Sequence, residues 1–206
     1  MRQSKHEPLL LLAIAAGALL LSSVKPYDRA TWLLEVFPVL VGAPILVATH
    51  ARFPLTPLLY RLLLLHALIL IVGGHYTYAR VPLGFWAQDL FDLSRNDYDR
   101  LGHLAQGFIP AILAREILVR RSPLRPGKWL FFLVVCVCLA VSACYELIEW
   151  WAALVGGESA ESFLGTQGDV WDTQWDMFLA LLGCTSSQLL LSRRHDAEIA
   201  RLEASR

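Results

Sequence analysis

Apolar residues in this chain come in long unbroken runs separated by short polar clusters, and they do not alternate as a half-buried strand would. Six runs are each near the ~20 residues that a helix needs to cross a ~30 Å hydrocarbon core: residues 8–24, 31–50, 56–74, 98–118, 129–155 and 169–192. Only closed backbone hydrogen bonding survives in lipid, so the pattern predicts an all-α polytopic membrane helix bundle of about six transmembrane helices. Residues 1–206 form one integral membrane domain on this reading, with 193–206 as a short cytoplasmic tail. The tail, "RRHDAEIARLEASR", reads as a solvated short helix. The first run follows Arg2 and Lys5 as a signal peptide would, but "LLLSSVKPYD" offers no small-x-small cleavage site, so it is expected to remain as a span. Pro38 and Pro44 interrupt the second run and predict a kink. The one long connection, "HYTYARVPLGFWAQDLFDLSRND", carries the Tyr and Trp residues that suit a membrane–water interface.

Composition strengthens the membrane assignment. Of 206 residues, 56% are hydrophobic and 17% charged. Mean hydropathy is +0.48, too apolar for an ordinary soluble domain. Net charge is zero, and no basic motif interleaved with aromatics appears, which excludes a nucleic-acid partner and leaves membrane lipids as the expected one. Cys136, Cys138, Cys144 and Cys184 lie in apolar runs without C-x-x-C spacing and read as small buried hydrophobes.

Charge distribution sets the orientation. Arg2, Lys5, Arg52, Arg61, Arg115, Arg120, Arg121, Arg125, Lys128, Arg193, Arg194, Arg201 and Arg206 fall on one side, against Lys25, Arg29, Arg80, Arg95 and Arg100 on the other. The positive-inside rule then puts both termini in the cytoplasm. The start of span four, the end of span five and the start of span six share the extracytoplasmic leaflet.

The acidic residues gather at those three places. Asp99, His103 and Gln106 recur at i, i+4 and i+7, Glu146 and Glu149 at i and i+3, and Asp169, Asp172 and Asp176 at i, i+3 and i+7, each set on one helical face. Part of this is explained by helix starts: Asn96 or Asp97 can cap span four with Asp99 in its first turn, and Asp169 can cap span six with Asp172 behind it. Capping does not explain His103, Glu146, Glu149 or Asp176. An ionisable group near the bilayer centre costs about 2.5–3.5 kcal/mol, so these must face the bundle interior or a wet cavity. One account is a structural ion-pair network around Arg100. Charge counting opposes it: Asp99, Glu146, Glu149, Asp172 and Asp176 meet only Arg100 and His103, with Arg80 or Arg95 joining if the long loop folds in. The surplus calls for protons or a bound cation.

A His with several carboxylates suits Zn, Mn or Fe, while Mg would favour the oxygens alone. No H-E-x-x-H or E-x-x-H motif narrows the choice to a known metal site. The candidate ligands of one divalent metal ion are His103, Glu146, Glu149, Asp172 and Asp176. Glu149, Asp172 and Arg100 are the candidate catalytic residues, and Asp99, Gln106, His75 and Tyr145 are further candidates. His75, Tyr76 and Tyr78 open the long loop on the same side, either as interfacial anchors or as a cover over the site. His66, alone in span three, is expected to be a hydrogen-bonded interior residue. Arg115, Glu116, Arg120 and Arg121 are expected to mark the cytoplasmic boundary and touch lipid headgroups. No G-x-S-x-G, P-loop or dinucleotide fingerprint occurs.

Four stretches, "GGHYTYARVPLG", "RNDYDRLGHLAQGFIPAILAREIL", "YELIEWWAAL" and "GTQGDVWDTQWDM", closely resemble, in order, the YjdF-like family of bacterial inner-membrane proteins, a domain of unknown function. The likeness covers roughly residues 30–190 and implies a multi-span inner-membrane protein, with no activity attached. More distantly the chain is similar to VanZ-like membrane proteins, named for glycopeptide-antibiotic resistance. Their acid-Lys-x-x-His, Glu-x-x-Gln and Asp-x-x-x-Asn elements correspond in order to Asp99–His103, Glu146–Glu149 and Asp172–Asp176. Here Arg100 replaces Lys, Glu149 replaces Gln and Asp176 replaces Asn, which makes the site more acidic; a cell-envelope role follows only by analogy.

Three functions remain open on the sequence. The first is an intramembrane enzyme at the outer leaflet, acting through a metal-activated water on a lipid headgroup or lipid-linked envelope precursor, with Arg100 holding the anion. The second is a proton- or cation-coupled transporter, opposed by the lack of an internal repeat and of a polar stripe reaching the cytoplasmic side. The third is a non-catalytic membrane scaffold.

Overall fold

A computed structural model of the chain describes residues 6–156 and 166–204. Among the described residues there are seven α-helices and one 3-10 turn: α1 (Glu7–Ser22), α2 (Arg29–Thr49), α3 (Pro57–Tyr76), the 3-10 turn Tyr78–Arg80, α4 (Pro82–Phe91), α5 (Tyr98–Arg121), α6 (Lys128–Gly156) and α7 (Asp172–Ala204). Six of them overlie the six apolar runs, and α4 folds the long connection into a short helix. Side chains mark the starts: Asp28 accepts the Thr31 N–H at 2.7 Å, Thr56 accepts the Leu59 N–H at 3.4 Å, and α1, α3 and α4 carry proline in the first turn. α2 is one continuous helix through Pro38 and Pro44, as α5 is through Pro110.

Three helices, Arg29–Thr49, Pro57–Tyr76 and Lys128–Val155, are long and apolar enough to cross a membrane by composition alone. Together with the all-α bundle they make this a multi-pass membrane protein. α5 and α7 fall short because their polar residues cluster at both ends and turn inward, not because they lie at the surface. They form the central pair of the bundle and touch without side chains between them. A Cβ on Gly107 would stand 2.0 Å from the Ala180 carbonyl oxygen, and one on Gly183 would stand 2.2 Å from that of Leu104. This is the small-residue contact by which membrane helices approach closely. α6 closes over the pair through Leu130, Val134 and Cys138, which pack on Ala111 and Cys184. α2 and α3 build a second cluster with Val36, Val39, Leu70 and Ile71, joined by Tyr78, Val81 and Tyr98.

The far end of α7 corrects the expected solvated tail. α7 runs on to Ala204, and His195, Ile199 and Leu202 are buried. At 1.5 Å per residue a 33-residue helix is ~50 Å long, so its last turns pass beside the end of α5 and the start of α3. The expected headgroup contacts of Arg115 and Glu116 are corrected for the same reason, since both are buried there. The Glu116 carboxylate accepts the Thr56 N–H at 3.1 Å and its hydroxyl at 2.8 Å, and it pairs with Arg120. His195 Nε2 lies 2.9 Å from it, while His195 Nδ1 is 3.1 Å from an Arg115 Nη1. Arginine only donates, so Nδ1 accepts and Nε2–H donates to Glu116. Arg115 also pairs with Asp196 at 2.7 Å. The same correction applies to Arg120, whose side chain is 3% exposed against Glu116, whereas Arg121 is exposed.

Two smaller expectations also change. Cys138 and Cys184 are buried, but Cys136 and Cys144 lie on the outer face of α6, and all four are free thiols. His66 Nε2 is buried with no hydrogen-bond partner among the described residues.

Candidate functional site

The starts of α5 and α7 meet the end of α6, and the polar stripes of all three face one another. His103 is the centre. Its Nδ1 lies 3.0 Å from Gln106 Oε1, one turn along the same helix. An amide oxygen can only accept, so Nδ1–H donates to it, which turns Nε2 toward the carboxylates of the neighbouring helices. Nε2 faces Asp99 at 3.5 Å and Asp176 at 3.8 Å, while Glu146 approaches Nδ1 at 3.8 Å. Two sets of donor atoms, Asp99–His103–Asp176 and His103–Glu146–Glu149, each converge within 4.8 Å. Asp99, His103, Glu146 and Asp176 are buried. Glu146 Oε1 and Asp176 Oδ1 have no hydrogen-bond partner among the described residues, although a buried carboxylate oxygen left unpaired is costly.

Asp172, Asp169 and Arg100 stand outside that centre. Arg95, brought in by the long connection, reaches Asp172 at 2.6 Å and Asp97 at 3.0 Å, and also donates to the Thr166 carbonyl. Arg100 pairs with Asp97 at 3.3 Å and Asp169 at 3.0 Å, with its guanidinium over the Trp175 ring. Two arginines therefore pair with all three aspartates of a rim and offset most of its charge. Gln167 clasps the Asn96 backbone from both sides, donating to its carbonyl at 2.8 Å and accepting its N–H at 3.3 Å, which ties this rim to the start of α5. Asn96 supplies the side-chain cap of α5 by accepting the Tyr98 N–H at 3.2 Å. Asp97 turns to the arginines instead.

Asp169 does not cap α7, which begins at Asp172; it accepts the Trp171 N–H at 2.9 Å and shapes the turn before the helix. That N–H, joined by the Arg95 and Arg100 guanidiniums, holds the Asp169 carboxyl below its ordinary 3.8. A depressed carboxyl stabilises the fold only when ionised. The contribution is complete above about pH 4 and is lost as pH falls through the lowered value. The expected outcome is a tryptophan-fluorescence transition of the 166–175 turn at acid pH, absent in Asp169→Asn. A transition of the same midpoint in that variant would contradict the assignment.

His75 is not part of the centre; its Nδ1 lies 2.9 Å from the Ser22 carbonyl and holds α3 to the end of α1. Tyr145 is half-buried on α6, within electrostatic range of Glu149 and Asp99. Glu35 escapes the sequence reading, and Tyr78, expected as an interfacial anchor or a cover, is instead buried. Glu35, buried on α2, lies within electrostatic range of Asp99 and His103, and Tyr78 is its buried neighbour from the 3-10 turn. An ionisable residue inside an apolar run was the available signal for Glu35.

The surplus charge survives the pairing of the rim. Around His103 stand Glu35, Asp99, Glu146, Glu149 and Asp176, and among the described residues none of these carboxylates pairs with a Lys or Arg. The donor chemistry, one imidazole nitrogen with carboxylates and two unpaired oxygens, fits a divalent cation.

The comparisons with known proteins agree with the membrane assignment. The chain is 56% identical over 183 residues to the inner membrane protein YjdF of Escherichia coli (strain K12), covering 89% of this chain and 88% of that protein. No solved structure matches. The apolar helices and this relative make the chain a multi-pass protein of the inner membrane. Residues 7–197 match the family described as predicted membrane protein (DUF2238), and with nearly the whole chain covered it belongs to that family.

Proposed function

We propose that this chain crosses the inner membrane six times with both termini in the cytoplasm and binds a divalent cation at its extracytoplasmic end. There it acts as an enzyme on a lipid headgroup or lipid-linked envelope precursor. The single observation that carries the reading is the Asp99–His103–Asp176 cluster, which has a carboxylate oxygen unpaired among the described residues and a histidine ring oriented by Gln106.

Three features support the placement. Asp176 and His195 are 19 residues apart on α7, ~28 Å along the axis, which matches a ~30 Å core. Between them the helix is apolar except for Thr185, Ser186, Ser187, Gln188 and the tail-side Ser192, Arg193 and Arg194. The cation end carries exposed Trp86, Trp150, Trp151, Trp171 and Trp175, an interfacial belt. α4 belongs to that belt. It packs on Asn96 through Gly84, whose Cβ position lies 1.8 Å from Asn96 Oδ1, and leaves Leu83, Trp86 and Leu90 outward, as an in-plane interfacial helix does.

Asp99, His103 and Asp176 would hold the cation, which supplies a polarised water at neutral pH. Glu146, 3.8 Å from His103 Nδ1, and Glu149 border the same imidazole and are the carboxylates that would take the proton of that water. The Arg95–Arg100 rim stands at the headgroup level. A transport path is disfavoured by the backbone contact of Gly107 with Ala180 and of Gly183 with Leu104, which leaves no channel between α5 and α7.

The test is conversion of inner-membrane lipids by protein reconstituted with Mn2+ or Zn2+, read by mass spectrometry. Glu149→Gln is expected to lower turnover by about 10²–10⁴-fold while keeping the cation. Absence of any converted lipid, or a fully active Glu149→Gln, contradicts the enzymatic part of the reading.

A further inference from the structure

α1 and α2 both pack on α3 and scarcely on each other, which leaves a slot between them with α3 as its floor. The slot is a cavity of about 360 Å³, within the range of about 300–1,000 Å³ usual for small-molecule sites. Small residues keep it open: Ala15 comes from α1, Gly42 and Ala43 from α2, and Ala67 from α3. A Cβ at Gly42 would meet nothing within 4 Å, although protein interiors are otherwise close-packed. Among the described residues the lining contains no Asp, Glu, Lys or Arg, and its polar side chains are His50, Tyr60 and His66.

Two of the three are paired with each other. His50 Nδ1 lies 2.6 Å from the Tyr60 hydroxyl, which also accepts the Leu55 N–H at 3.2 Å. His66 is the exception, because its Nε2 is buried with no hydrogen-bond partner among the described residues. A polar atom left so forfeits its hydration for nothing, and leucine, which fills positions 62–65 and 68 of the same helix, would avoid the loss. Nine residues into α3, ~14 Å from Pro57, His66 stands near the middle of a ~30 Å hydrocarbon core. Bulk water does not reach that depth. Phospholipid headgroups and ester oxygens also stop short of it, and their chains offer only CH2 groups. We propose that the slot binds an uncharged lipid whose hydroxyl or carbonyl oxygen pairs with His66 while its hydrocarbon fills the space between α1 and α2. The lining fits a neutral ligand, since a charge at this depth would find no counter-charge. A hydroxyl donates and accepts and so suits either tautomer of His66; a carbonyl suits the one with hydrogen on Nε2. The site shares no residue with the His103 centre and stands whether or not that centre holds a cation.

The probe is hexadecanol bearing a mid-chain diazirine, chosen because a hydroxyl serves either tautomer. It is photolysed with the full-length protein in vesicles of phosphatidylethanolamine and phosphatidylglycerol, and adducts are mapped by peptide mass spectrometry. Adducts are expected within residues 39–47 and 63–70, and unlabelled hexadecanol and hexadecane are then compared as competitors. In His66→Leu the potency of hexadecanol relative to hexadecane is expected to fall by about 3–10-fold, the loss of one hydrogen bond. Gly42→Phe fills the slot from a position with open space and should lose the adducts while keeping the parent's helicity. Adducts no denser in the slot than on the outward Trp129 and Phe132 of α6 would mean ordinary lipid contact and overturn the proposal. An unchanged competitor ratio in His66→Leu would overturn it too, leaving a slot filled by acyl chain alone. So would an unlabelled slot in a protein that migrates as a dimer, where a second copy is the occupant.

Discussion

Gly107→Val is expected to abolish the native bundle. The substituted Cβ would begin 2.0 Å from the Ala180 carbonyl oxygen and 2.6 Å from its carbon, both backbone atoms of α7 that no rotamer change can move aside. The helices must separate, which pulls Asp176 away from His103 at one end and His195 away from Glu116 at the other. Overpacking of a well-filled core costs about 1–3 kcal/mol, and a backbone-to-backbone clash belongs at or beyond the top of that range. The measurement is thermal unfolding in detergent by circular dichroism, with size exclusion to register aggregation. A Gly107→Val protein that is monodisperse and melts with the parent would show that α5 and α7 do not touch at this point.

Glu116→Leu carries the second large effect, at the opposite end. Glu116 is fully buried, and its carboxylate meets Thr56, His195 and Arg120 together. Leucine fills the volume but leaves the Arg120 guanidinium, 3% exposed, without its carboxylate and the Thr56 N–H without an acceptor. Removing one partner of a buried ion pair costs about 3–5 kcal/mol. Glu7→Ala, which breaks an exposed pair with Arg61, should cost at most ~1 kcal/mol. Unfolding followed in parallel for the two variants checks the contrast. Equal, small losses would mean that the Glu116 network holds nothing together.

The helices were legible because each apolar run has the length and composition of a helix, and three of the helices they form are long and apolar enough to cross a membrane. The acidic centre was legible for a related reason. Asp99 with His103, Glu146 with Glu149, and Asp172 with Asp176 each keep helical spacing, and the distribution of arginines brings their ends to one side. What escaped needed contacts between distant segments. That Arg95 takes Asp172 while Arg100 takes Asp97 and Asp169 depends on how residues 75–97 fold, and periodicity carries no information on that. The buried end of α7 was partly visible: His195, Ile199 and Leu202 recur at i, i+4 and i+7, an inward stripe in a segment otherwise dominated by charge. The charged surroundings masked it. Arg115 and Glu116 resemble headgroup-facing residues in the sequence because the apolar run ends at 192, short of the turns of α7 that bury them.

The two polar clusters also explain each other. They lie at the two ends of one helix pair, separated by a glycine contact that admits neither side chains nor a pore. The Glu116 cluster is balanced in charge and closed by hydrogen bonds, so it reads as packing. The His103 cluster is unbalanced and leaves carboxylate oxygens unpaired, so it reads as a site.

The central claim is the cation, and metal analysis of the detergent-purified full-length protein tests it most directly. The account predicts about one divalent metal ion per chain, retained through chelator-free purification and lost in His103→Ala with the helical fold kept. A parent protein that is folded and metal-free, and that stays so after equilibration with Zn2+, Mn2+ and Fe2+, would contradict it.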